Sequence, residues 1–149
     1  MRTIIVPTPV PRADEFIAKV REMIGWRFVR GGRSVGATDC VGLVNMAAQY
    51  LGYRFEDYTD YSHRPSGMEM REYFYANTDA LPKPGPRPGA IVILRQSTVP
   101  MHVGVVDKDK YGRPTIINAN VQHRRVVEQP ISDWQKLILD YRRLPDMHV

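Results

Sequence analysis

Apolar positions recur at helical spacing through the first half of the chain and in short Val/Ile-rich runs through the second. In the segment 15–25, Phe16, Ile17, Val20, Met23 and Ile24 share one face of a 3.6-residue period. Asp14 stands where an N-cap belongs and Gly25 supplies a stop. Asp39 is an N-cap type for a second helix, "CVGLVNMAAQYL", which Gly52 ends. Ser66 and Glu69 form a capping-box pattern ahead of a third, "MEMREYFYA". Upstream of these, Pro7, Pro9 and Pro11 forbid a helix and predict an extended arm over 1–12. The segment "WRFVRGGRSVGAT" reads as a glycine-rich loop, and 56–65 as an irregular aromatic and acidic one.

The period changes after "LPKPGPRPG", which reads as a rigid loop inside one domain spanning 1–149. "AIVILR", "MHVGVVD", "TIINAN" and "RRVVEQ" predict four strands, with "DKDKYGRP" as the hairpin connection between the second and third. Ser132 is positioned to cap a short helix, "DWQKLIL", and "YRRL" returns as a last strand. Helices first and antiparallel strands second is an α+β arrangement.

Composition narrows the class. The 149 residues suit one core, and 43% hydrophobic with 25% charged residues is ordinary for a soluble globular protein. No apolar run approaches the roughly 20 residues that span a bilayer, and the N-terminal apolar stretch is too short for a signal peptide. One cysteine rules out an internal disulfide framework. His63, His102, His123 and His148 are scattered, so neither a metal nor another cofactor is expected. The net charge of +5 favours anionic partners such as a cell-wall polymer. The basic clusters lack interleaved aromatics, which argues against nucleic-acid recognition.

The single thiol, Cys40, opens the second predicted helix. There the unpaired backbone N–H groups and the helix dipole favour a thiolate, and the same N–H groups suit an oxyanion. A lone cysteine is more often an inert core residue. His102 changes that balance. In a period-two strand His102, Gly104 and Val106 share one face, with Met101, Val103 and Val105 on the other. Gly104 leaves space on the histidine's face for another element, such as the helix bearing Cys40. A histidine in reach of a thiol acts as general base and then as general acid. On the next strand Asn118 and Asn120 share a face, and either side-chain carbonyl could fix the imidazole tautomer, as in Cys-His-Asn triads.

With those residues in view the sequence resembles the NlpC/P60 cysteine peptidases. "TDCVGLV" is similar to their nucleophile motif, "HVGVV" to their histidine strand, "RPGAIVIL" to their Pro-Gly-Asp strand and "IINA" to the position of their third polar residue. The resemblance implies a papain-like α+β fold with N-terminal helices packed on an antiparallel sheet. It implies hydrolysis of peptidoglycan stem peptides, commonly at the D-γ-glutamyl–diamino acid bond. Cys40 is then the nucleophile, His102 the base and Asn118 the orienting residue, with Asp39, Phe28 and Val41 beside the substrate. Phe28 stands where many members carry tyrosine, Val41 where they carry serine, Ala90 where they carry aspartate, and Asn118 where histidine is more usual.

"GWRFVRGGRSVGATDCVGLV", "YSHRPSG" and "RRVVE…W…YRRL" further resemble the phage-encoded branch. That implies a virion tail-tip protein that partners other tail proteins and acts on host peptidoglycan, in the cell wall or periplasm, during genome entry. A structural tail-tip component that has lost activity is the alternative, and an acyltransferase on the same scaffold is a third reading.

Overall fold

A computed structural model describes residues 4–59, 68–95 and 102–149. Helix α1 covers Ala13–Glu22, α2 Cys40–Tyr50 and α3 Met68–Asn77. Among the described residues nine strands follow in chain order as β1 (Arg27–Phe28), β2 (Arg33–Ser34), β3 (Ala37–Thr38), β4 (Asp79–Ala80), β5 (Ile91–Leu94), β6 (His102–Lys108), β7 (Pro114–Asn120), β8 (Arg125–Pro130) and β9 (Ile138–Arg143). They form one sheet in the order β2-β3-β1-β8-β7-β6-β5-β9-β4. All neighbours are antiparallel except β1 and β3. The fold is therefore α+β, as the patterning predicts.

The start of α1 differs from expectation. Its N-cap is Arg12, not Asp14, and the Glu15 carboxylate reaches back to accept from Arg12 N–H at 2.8 Å. Asp14 pairs with the Arg12 side chain instead. A carboxylate at the third helical position reaches back to the N-cap N–H as in a capping box, whereas Asp14 is already the second helical residue. Asp39 does cap α2, accepting from Gly42 N–H at 2.8 Å, and Gly52 follows the helix end at φ +100. The Ser66 cap proposed for α3, His63 and the strand position of Met101 lie outside the described residues.

The glycine-rich loop is more regular than its composition suggests. It holds β1, β2 and β3, with Phe28 set opposite Thr38. The hairpin at 107–114 forms as predicted, closed by Asp109 N–H to Arg113 O at 2.8 Å. Ser132 caps nothing: the segment Ile131–Leu137 is a 3-10 helix begun by Pro130, and its buried residue is Trp134.

Two cores share the sheet. On one face Phe16, Val20, Leu43, Val44 and Ala47 of α1 and α2 pack on Ile91, Ile93, Val103, Val105, Ile117 and Ala119. On the other, Val92, Leu94, Val106 and Ile116 pack on Trp134. Each fully buried Leu, Ile, Val or Phe contributes about 1.5–3 kcal/mol. The helical core is the larger, so it fixes α2, and with it the height of Cys40 above the sheet.

Candidate active site

Cys40 is the first residue of α2 and is partly exposed. The local chain folds this way because three groups converge on the Asp39 carboxylate. Gly31 N–H donates at 2.7 Å, Gly42 N–H at 2.8 Å and the Arg33 guanidinium at 2.8 Å. Arg33 in turn holds Asp57 at 2.9 Å and the Tyr58 carbonyl at 2.8 Å, which ties the loop after α2 to the loop before it. Gly42 admits no side chain. A Cβ there would lie 2.7 Å from Gly32 O and 2.8 Å from the Arg33 side chain, so its small size serves contact with the preceding loop.

The thiol is not poised as a thiolate. Its pKa is pushed up to about 12, first by burial and then by the Asp39 charge. The backbone N–H groups of Val103 and Val41 and the Arg33 charge pull it down, without prevailing. Magnitudes explain the result. A helix terminus is worth about 0.3–1 kcal/mol to an anion, less than one pKa unit, whereas burial moves a group by several units. The expectation of a lowered pKa is thus corrected.

His102 begins β6 and is buried. Burial pushes its pKa down, and the hydrogen bond to Asn118 offsets part of that. Its Nε2 meets Asn118 Oδ1 at 2.9 Å, and its ring stacks on Trp134 with centroids 5.4 Å apart. Asn118, wholly buried, gives its Nδ2–H to Gln129 Oε1 at 2.9 Å. Asn120 makes no bond to the imidazole. It donates to Asn118 Oδ1 at 3.3 Å and accepts from Gln122 and His123 N–H at 2.9 and 3.1 Å, which fastens the turn into β8. Of the two asparagines, Asn118 holds the histidine.

Gly104 has a different reason from the one its neighbourhood suggests. Helix α2 packs on the Val103 and Val105 face, not on the face of His102 and Gly104. A Cβ on Gly104 would come 2.6 Å from Ile116 Cγ2, 2.9 Å from Ile117 O and 3.2 Å from Asn118 Cβ. The glycine thus makes room for the neighbouring strand and for Asn118 on its way to His102. Cys40 reaches β6 by another route, since the Val103 N–H that influences the thiol belongs to the peptide following His102. No hydrogen bond joins Cys40 Sγ to His102 among the described residues.

The remaining candidates divide. Phe28 is half-buried against the helical core and pairs with Thr38, two residues before Cys40. Val41 is fully buried, so its side chain is not a substrate contact, and only its N–H faces the thiol. The Asp39 carboxylate is occupied by its three donors and serves as a cap rather than as a free substrate ligand. Sequence reasoning missed Gln129 and Trp134 as partners of the site. The signal for Gln129 was a polar side chain on the strand beside Asn118, opposite Ile116 in register. Among the described residues no group of three His, Cys, Asp or Glu is placed to hold a metal.

The NlpC/P60 family model matches residues 25–143, which is 119 of the 149 positions and includes Cys40, His102 and Asn118. The chain belongs to the NlpC/P60 family. No curated protein matches it. Among solved structures, NlpC1 from Trichomonas vaginalis is similar with a TM-score of 0.64 at 18% identity, over 89% of this chain and 43% of that one. An NLP/P60-family protein from Staphylococcus aureus, described as similar to a lipoprotein, gives 0.59 at 14%, over 97% and 46%. The NlpC/p60 domain of the peptidoglycan hydrolase SagA gives 0.57 at 14%, over 89% of this chain and 98% of that domain. The chain therefore spans less than half the length of the first two and nearly all of the third. At these identities the likeness establishes the NlpC/P60 fold.

Proposed function

We propose that this NlpC/P60 protein is a cysteine hydrolase of peptidoglycan stem peptides, working as a single domain with Cys40 as nucleophile, His102 as base and Asn118 as orienting residue. The observation that carries the reading is the 2.9 Å bond between His102 Nε2 and Asn118 Oδ1, in a chain whose one thiol opens α2. The amide oxygen accepts, so Nε2 carries the proton and Nδ1 keeps its lone pair for the thiol. Transfer requires Sγ and Nδ1 to come within hydrogen-bond reach, which catalytic pairs often achieve only in the substrate complex.

The reaction then balances as follows. Nδ1 takes the Sγ proton as sulfur bonds to the scissile carbonyl carbon. The oxyanion has the leading N–H groups of α2 for donors, those of Cys40 and Val41, because the N–H groups of Gly42 and Leu43 are spent on Asp39. The imidazolium returns its proton to the departing amine as the C–N bond breaks, leaving a thioester. Water attacks the thioester with Nδ1 as base, and the carboxylic acid and free thiol are released.

The motifs shared with phage-encoded members support a finer reading, a tail-tip enzyme acting on the host wall during genome entry, and the net charge of +5 suits an anionic polymer. Digestion of purified muropeptides followed by product mass spectrometry tests the activity. New free amines with wild type, and none with Cys40→Ala, are expected, and the product masses name the bond. No products from either protein would leave a non-catalytic tail component as the better account. Detection of the chain in purified particles tests the location.

A further inference from the structure

We infer that Trp134, acting through Gln129, together with Asn120 sets the tautomer of His102, so that all three are positioning residues of the site. The starting point is the third residue itself. An asparagine amide presents oxygen on one side and NH2 on the other, at nearly the same shape. With Oδ1 toward the imidazole, Nε2 is protonated and Nδ1 is a base. With Nδ2 toward it, Nε2 becomes the acceptor and Nδ1 carries the proton, so Nδ1 is no longer a base.

The surroundings of Asn118 remove that ambiguity from both ends. An indole N–H donates and never accepts. Trp134 Nε1 donates to Gln129 at 3.1 Å, so the Gln129 atom there must be Oε1. That same Oε1 lies 2.9 Å from Asn118, so the Asn118 atom facing it must be Nδ2. Oδ1 is thereby turned toward His102 Nε2. From the other side, Asn120 Oδ1 is fixed as an acceptor by the backbone N–H groups of Gln122 and His123, which also only donate. Its Nδ2 must then face Asn118 Oδ1, at 3.3 Å, in agreement with the first chain. Two groups of fixed polarity therefore impose one tautomer through three amides. Trp134 also covers a face of the His102 ring, which restricts competition from water.

The catalytic meaning of this rests on the proposed function; the tautomer does not. Protein carrying 15N-labelled histidine is observed by long-range proton–nitrogen correlation at mildly alkaline pH, where the ring is neutral. The wild type should show His102 as the Nε2–H form alone. Trp134→Phe keeps a ring against the imidazole but removes the donor, and should introduce the Nδ1–H form. The alkylation rate of Cys40 should fall about fivefold, the ratio one ordinary hydrogen bond sustains. Gln129→Glu, which still accepts from both donors, should retain the Nε2–H form. Gln129→Lys, which offers only donors from this half-exposed site, should shift the ring toward Nδ1–H. Folding of each variant is read from the same spectra. An unmixed Nε2–H ring in both Trp134→Phe and Gln129→Lys would overturn the inference. Muropeptide cleavage is measured separately. A tautomer that shifts in a protein without hydrolase activity sinks the proposed function alone, and one that stays fixed in an active enzyme sinks this inference alone.

Discussion

At the scale of the residue, the resting site holds a neutral thiol and a neutral imidazole that share no hydrogen bond among the described residues. Burial drives both: it pushes Cys40 up to about 12 and His102 down. Proton removal is thus part of the attack rather than a step completed beforehand. The alkylation rate of Cys40 by a neutral reagent should keep climbing from neutrality through pH 8 and 10, as reaction through the growing thiolate fraction adds to the His102-assisted reaction. A plateau by pH 7 would show a stable thiolate–imidazolium pair and contradict this description. The residue types of the site were legible in the sequence because a lone thiol at a helix start, a strand histidine and an asparagine pair each carry a chemical signature. The ionisation was not, because burial of the thiol is set by long-range packing that local spacing does not reveal.

At the scale of the element, alternation along β6 and β7 placed His102 and the two asparagines correctly, since a period of two needs no knowledge of the partner. Which face meets α2 is decided by long-range packing, and Gly104 was therefore credited to the wrong neighbour. The corrected role has a consequence. Gly104→Ala sets a methyl 2.6 Å from Ile116 Cγ2 and 3.2 Å from Asn118 Cβ, so β7 must shift. The expected cost is about 1–3 kcal/mol of stability with a disproportionate loss of thiol reactivity, read by chemical denaturation and alkylation together. Unchanged reactivity in a folded variant would show that Asn118 does not depend on that space. The caps were legible only in part for a related reason. Asp39 is a local N-cap, whereas Ser132 lost its role to Pro130 and to the docking of Trp134.

At the scale of the whole molecule, α1 is fastened across the sheet by Arg21, which reaches Asp107 at 2.7 Å and both Glu128 oxygens at 2.9 and 3.0 Å. The Arg21 side chain is 42% exposed, so water screens the cluster and Arg21→Met should cost only roughly 1 kcal/mol. Arg21 above all holds Glu128 below the ordinary carboxylate value of 4.5. That stabilisation is fully present above pH 4.5 and is lost as pH falls through the lower folded value. Cys40 acts at the other extreme. Its unfolded value is near 9 and its folded value about 12, so stability is full below 9 and is lost as pH rises between them. Thermal melts across pH should show the acid-side loss reduced in Arg21→Met and the alkaline-side loss reduced in Cys40→Ala. Melts that match wild type at both extremes would contradict these assignments.

The central claim is that Cys40, His102 and Asn118 act as one catalytic unit, and the rate of free-amine release from purified peptidoglycan tests it most directly. Wild type, Cys40→Ala, Asn118→Ala and Asn120→Ala are compared under one set of conditions. The account predicts no release with Cys40→Ala. It predicts a fall of several orders of magnitude with Asn118→Ala, as loss of the orienting residue causes in a serine-protease triad, and a smaller fall with Asn120→Ala. Release by Cys40→Ala at the wild-type rate, or equal rates for the two asparagine variants and wild type, would contradict it.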